Sequence, residues 1–153
     1  MNASCRTKSR PSRDIAIAVE SARFAFSEAK LGIAPSTITP FVVGKIGQAN
    51  ARALFVTGER FSARRAYDIG LVDAVVPPEQ LDEAVQKTLG ELVTSGPQAV
   101  RACKAMALAV GRMSYDEARG YTAETVARLR VSDEGQEGPR AFLEKRKPGW
   151  VTG

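Results

Sequence analysis

The chain has 153 residues, 44% of them hydrophobic and 25% charged, which is enough to bury a core and argues against a disordered or membrane-spanning class. Its net charge is +5, and it contains no histidine, which excludes histidine general bases, Ser-His-Asp triads and histidine-ligated metal centres. The two cysteines, Cys5 and Cys103, form no metal-binding spacing and predict a reducing, cytoplasmic compartment. No apolar run reaches the length of a membrane span, and no secretion-signal pattern is present. Lys and Arg are mixed with Asp and Glu over most of the chain, as on a solvated surface. An anionic partner is the sharper reading of the same charge.

Residues 1–13 contain almost no apolar side chain and no acid, and predict a disordered basic arm. An Arg/Ser-rich, acid-poor start is also a property of organelle transit peptides, but this one lacks their amphipathic face. Asp14–Val19 carries Ile15, Ile17 and Val19 with alanines between them, a pattern for a strand covered on both faces, as in a parallel sheet. Phe24-Ala-Phe26 predicts a second short extended piece. A polar loop follows between Pro35 and Pro40, with Thr39 as candidate N-cap of a helix that ends near Gly47. A further helix is predicted from Gln48 to Thr57, with Gly58 just beyond its C-terminus.

Ser62 predicts the cap of a short helix through Asp68, stopping at Gly70, and Leu71–Val76 a strand closed by Pro77-Pro78. From Glu79 onward the period changes to helical. Leu81, Ala84, Val85, Leu89, Leu92 and Val93 share one face. Gly96-Pro97 starts the next helix, whose face is Val100, Cys103, Met106, Ala107 and Val110, a core or interface stripe. Ser114-Tyr-Asp-Glu117 fits a capping box. A last helix is predicted from Asp133 to Lys145 with Ser132 as cap, and Trp150 beyond it reads as a packing anchor.

From Asp14 to the end, the order of motifs resembles the second half of a crotonase (enoyl-CoA hydratase/isomerase) family enzyme. The residues that carry the resemblance are Asp14-Ile-Ala-Ile-Ala18, Ala22-Arg-Phe-Ala-Phe-Ser-Glu28-Ala-Lys-Leu-Gly32, Leu54-Phe-Val-Thr-Gly-Glu-Arg-Phe-Ser-Ala63, Ala66-Tyr-Asp-Ile-Gly-Leu-Val-Asp-Ala-Val-Val-Pro77 and Ala141-Phe-Leu-Glu-Lys-Arg-Lys-Pro148. Within the family, Gly32-Ile-Ala-Pro-Ser-Thr-Ile-Thr-Pro-Phe-Val-Val43 and Arg130-Val-Ser-Asp-Glu-Gly-Gln-Glu-Gly138 look like the branch that hydrates methylglutaconyl-CoA in leucine and acyclic-terpene breakdown. Most family members have a Gly-rich stretch where this chain has Pro35-Ser36-Thr37-Ile38.

The resemblance implies an α/β fold, a partial crotonase (ClpP-like spiral) with a few strands followed by a helical trimerisation region. Residues 14–77 would form the C-terminal part of the crotonase core and residues 78–153 the helical oligomerisation region. Glu28 matches the second of the family's two glutamates, which transfers a proton at the substrate carbons. The first glutamate and both oxyanion-hole segments belong ahead of the matched stretch, so a truncated chain, weak or inactive alone, is expected. Losing one oxyanion donor alone lowers a rate by about 100–1,000-fold. Phe142 and Lys145 match positions that touch coenzyme A, often across a subunit boundary. A solvated basic helix end, Glu144-Lys-Arg-Lys147, is the competing reading. Pro139 departs from the family pattern and predicts a helix that starts or kinks there. Lys30 and Arg60 are candidates to meet a substrate carboxylate, with nothing in the sequence to single them out.

The implied partners are an acyl-CoA thioester and further copies of the chain in a trimer or hexamer, without a membrane or a specific nucleic acid. No metal and no separate cofactor is implied, since coenzyme A is part of the substrate. An isomerase of the same family, which needs only one carboxylate at Glu28, and a non-catalytic assembly module are the alternatives. Nucleic-acid binding by residues 1–13 is a further class, without aromatic interleaving to support it.

Overall fold

The structure is a computed structural model in which residues 14–151 are described. The basic arm expected over residues 1–13, with Cys5, lies outside them. The chain divides into two compact units between Gln86 and Lys87.

In the first unit, strand β1 (Ile17–Val19) pairs in parallel with β4 (Ala74–Val76), Ala18 opposite Val75. Strand β2 (Arg23–Ala25) pairs antiparallel with β3 (Arg60–Ser62), Phe24 opposite Phe61. Between them lie helices α1 (Thr39–Thr57) and α2 (Ala63–Asp68). The parallel pairing of β1 is what its two-sided apolar pattern predicts.

Both outer strands are shorter than expected, and for the same reason. The Leu71 and Val72 amides turn back to donate to the Ala66 carbonyl at 2.8 and 3.3 Å. Next, the Asp73 carboxylate takes the Ala16 amide at 2.6 Å, so neither segment is free for a ladder. The same carboxylate oxygen pairs with Lys45 of α1 at 3.4 Å. One acid therefore ties the starts of β1 and β4 to a helix.

α1 is two helical stretches joined at Gly47, whose φ of 74° and ψ of 163° are open essentially to glycine alone. The break falls where the sequence predicts it. The helix ends at Gly58, which adopts a left-handed φ of 56° and donates its N–H to Leu54. Its start is a correction. Ile38 is the cap residue, and Thr39 already lies inside the helix, with its hydroxyl donating to the Pro35 carbonyl at 2.6 Å. Ser62 does cap α2, accepting from the Arg65 amide at 3.2 Å.

Helical spacing puts Val42 and Ile46 from one half of α1, and Ala51 and Leu54 from the other, into the core. Ala18, Phe61, Ala63, Ala66, Ile69 and Val72 complete it. Phe61 stacks on Phe24 with ring centroids 5.7 Å apart, and Phe26 meets Phe55 edge-on at 5.1 Å.

The second unit takes in the end of α3 (Leu81–Thr94), then α4 (Pro97–Ala109), α5 (Tyr115–Arg130) and α6 (Asp133–Leu143). Capping is strong here. Ser114 and Glu117 form the reciprocal box at the start of α5, and Ser132 accepts from Gly135 at 3.1 Å. The N-terminus of α4 has no side-chain cap of its own. The Glu134 carboxylate caps it from α6, accepting the Gln98 and Ala99 amides at 2.8 Å each. A Cβ at Gly96 would overlap that carboxylate, so a larger residue there would push Glu134 from its place.

α6 runs through Pro139 without a break, where a start or kink was expected. The helix is therefore already established a turn and a half earlier, on the Ser132 cap. The carbonyl that loses its partner to the proline ring is that of Gly135. Among the described residues, no helix is long and apolar enough to cross a membrane, and no group of acids or cysteines is arranged to hold a metal ion.

Candidate functional site

Glu28 opens a four-residue 3-10 turn, Glu28–Leu31, directly after β2 and Phe26. Three backbone bonds hold the turn: Lys30 to Ser27 at 3.1 Å, Gly32 to Ala29 at 3.2 Å and Ile33 to Glu28 at 3.2 Å. Gly32, at a φ of 73°, supplies the left-handed residue that closes it. The Ile33 bond returns the chain to the Glu28 backbone two residues before the Pro35–Ile38 loop.

The Glu28 side chain is half-buried, but its Oε2 is fully buried and has no hydrogen-bond partner. No other buried side-chain oxygen or nitrogen among the described residues stands unpartnered. Buried polar atoms are paired in the great majority of cases, and leaving one unpaired costs about 1–3 kcal/mol. Among the described residues, nothing satisfies this oxygen.

Phe142 and Lys145 lie in the second unit, within one turn of each other at the end of α6. Phe142 is 82% exposed. Lys145 has a φ of 53°, and no other described non-glycine residue has a positive value. The reason is a Schellman turn. The Arg146 amide donates to Ala141 at 3.0 Å and the Lys145 amide to Phe142 at 3.2 Å. Glycine is the usual occupant of that position, because a side chain there costs about 1–2 kcal/mol.

Arg146 is a partner the sequence did not point to. Its guanidinium grips Glu137 with two bonds, 2.6 and 2.9 Å, and reaches Glu144 at 2.6 Å. Glu137 also accepts the Gly149 amide at 2.8 Å. Hydrogen bonds from Arg146 and then from Gly149 lower the Glu137 carboxyl to about 2, and the bonds to Glu137 and Glu144 raise Arg146. The basic end is thus only partly a solvated run, since Arg146 is a clasp. Trp150 completes the tail, its indole donating to the Thr94 carbonyl at 3.1 Å.

The two candidates for a substrate carboxylate differ. The methylene stem of Lys30 lies over Gly58, within 3.1–3.5 Å of where a Cβ would sit. Arg60 is exposed on β3, in register with Ala25.

A family profile described as enoyl-CoA hydratase/isomerase matches residues 12–153. The chain belongs to the enoyl-CoA hydratase/isomerase family. It is 34% identical over 142 residues to a carnitinyl-CoA dehydratase of Salmonella typhi, covering 90% of this chain and 54% of that protein. A solved enoyl-CoA hydratase/isomerase (crotonase) family chain of Legionella pneumophila superposes with a TM-score of 0.84 at 46% identity, covering 90% of this chain and 53% of that one. Pseudomonas aeruginosa AtuE superposes at 0.86 and 38% identity, covering 91% and 54%. The architecture is accordingly that expected, a mixed α/β crotonase fold with a helical C-terminal region. The chain spans about half the length of the relatives it matches.

Proposed function

We infer that this chain carries one proton-transferring carboxylate, Glu28, of a lyase that adds water across the double bond of an α,β-unsaturated acyl-CoA. The observation that carries this reading is the buried, unpartnered Oε2 of Glu28 in a chain of this family. In such an addition, the water oxygen bonds to the β-carbon, the thioester carbonyl takes up charge as an enolate, and a proton returns to the α-carbon. A positioned carboxylate can give or take that proton, a role worth about 100–10,000-fold in rate. The second carboxylate and the donors for the enolate oxygen are assigned to the half of the relatives' length that this chain does not span.

The proposed substrate is a branched glutaconyl thioester of the methylglutaconyl-CoA type. Its support is the Pro35–Ile38 loop, which departs from the Gly-rich pattern of most family members and begins two residues after Ile33, the residue bonded to the Glu28 carbonyl. Coenzyme A then enters as part of the substrate, with Phe142 and Lys145 at its binding surface and no separate cofactor. Residues 78–153 serve assembly into a homo-oligomer in this reading.

The test is hydration of 3-methylglutaconyl-CoA and of crotonyl-CoA by the purified chain and by Glu28→Gln. The expected result is faster turnover of the glutaconyl thioester and a fall of at least about 100-fold in the variant. Unchanged turnover in Glu28→Gln removes Glu28 from the reaction. A preference for crotonyl-CoA removes the branched substrate.

A further inference from the structure

A lone 3-10 turn is a weak support for a reacting group, because its hydrogen bonds are poorly aligned and it is never long. The turn that carries Glu28 has no buried residue of its own. Something outside the turn must therefore fix it.

Lys30 makes such a contact. As a whole it is exposed, yet its stem crosses the bare face of Gly58, with Cε, Cγ and Cδ at 3.1, 3.2 and 3.5 Å from the position a Cβ would take. Gly58 is itself buried, and it is the residue that ends α1. Long cationic side chains bury their methylenes along apolar surface while the charged head stays in water. The head of Lys30 consequently sits at the C-terminal end of α1, where unpaired carbonyls favour a cation. The last turn of α1 has no basic residue of its own. Lys30 occupies that place while the Glu28 oxygen two residues earlier remains unpartnered.

The geometry points to Lys30 as a positioning residue for Glu28: its stem, docked on Gly58, fastens the Glu28 turn to the end of α1 and keeps the ammonium away from the carboxylate. This rests on Glu28 being the reacting group of the proposed hydratase. It assigns Lys30 to the protein rather than to a substrate carboxylate.

The test uses the full chain labelled with carbon-13 and nitrogen-15, as Lys30→Ala and Lys30→Met. Lys30→Ala is expected to speed amide exchange at Gly32 and Ile33 by about tenfold, the scale of a local opening. It is also expected to move the carboxyl resonance of Glu28, with exchange at Ala51 and Leu54 unchanged. Lys30→Met keeps a stem of similar reach, so exchange should stay within about twofold of the parent and the Glu28 resonance should hold. Unchanged exchange and resonance in Lys30→Ala overturn the proposal, and so does a Lys30→Met that behaves like Lys30→Ala. Hydration by Glu28→Gln answers a separate question. If that variant keeps its activity while Lys30→Ala loosens the turn, the hydratase reading fails and the positioning contact stands.

Discussion

The two units are held by different forces. The first closes on a shared apolar core in which Leu54 is 2% exposed and Ala63 and Ala66 are fully buried. In the second, Ala141 is the buried apolar residue and Thr125 the buried polar one among the described residues, while Leu92, Val93 and Leu108 face outward. Order there comes instead from polar ties at helix ends: Glu134 on α4, the Ser114 box on α5, Trp150 on the end of α3 and Arg146 on Glu137. Burial is non-directional and collective, whereas each cap is specific and worth about 1 kcal/mol. The first unit should therefore fail through cavities and the second through lost hydrogen bonds.

Leu54→Ala is the sharpest way to break that contrast. It should destabilise by about 3 kcal/mol, read as a lower urea midpoint. Val93→Ala, at a position 62% exposed, should change the same midpoint by less than about 0.5 kcal/mol. Equal losses would mean that the outer face of α3 is covered by another copy of the chain. Next in size is Glu134→Ala, expected to cost about 1–2 kcal/mol in thermal unfolding by stripping two amides at the start of α4.

Lys145→Gly should act in the opposite direction. Relief of the left-handed strain predicts a gain of about 0.5–1 kcal/mol. Loss of the cation predicts weaker binding of a CoA thioester in titration calorimetry. A variant that is both more stable and equally tight in binding would leave Lys145 outside the coenzyme A surface.

The smallest effect is one of pH. The Glu137 carboxyl titrates lower folded, at about 2, than the ordinary value near 4.5. Its contribution is therefore complete above that ordinary value and disappears as pH falls toward 2. The chain has a single tryptophan, Trp150, next to Gly149 in this clasp. Its emission should shift between pH 4.5 and 2, and Glu137→Gln should show the low-pH spectrum at neutrality.

What the sequence made legible were local devices. Ser62, Ser114 and Ser132 each cap through atoms three residues away, Gly47 marks a break open essentially to glycine alone, and Gly58 a left-handed helix end that favours glycine. Such signals lie within one turn, so spacing carries them. Glu134 and Gln98 are 36 residues apart, and nothing near either residue announces the bond. The periodic faces were visible, but periodicity does not say which face is covered. Cys103, on a stripe expected to pack in a core or interface, is exposed in this chain. Glu28 was legible through family resemblance alone. Its unpartnered oxygen depends on what surrounds it in three dimensions.

The tie between Trp150 and Thr94 also has a consequence for the order of events during synthesis. The core of the first unit is complete once Val72 has been made. At roughly 5–20 residues per second, several more seconds pass before Trp150 emerges to meet a carbonyl 56 residues behind it. Throughout that interval α3 ends without its indole donor. The first unit can collapse early on its own core, and the end of α3 stays unfastened until Trp150 arrives.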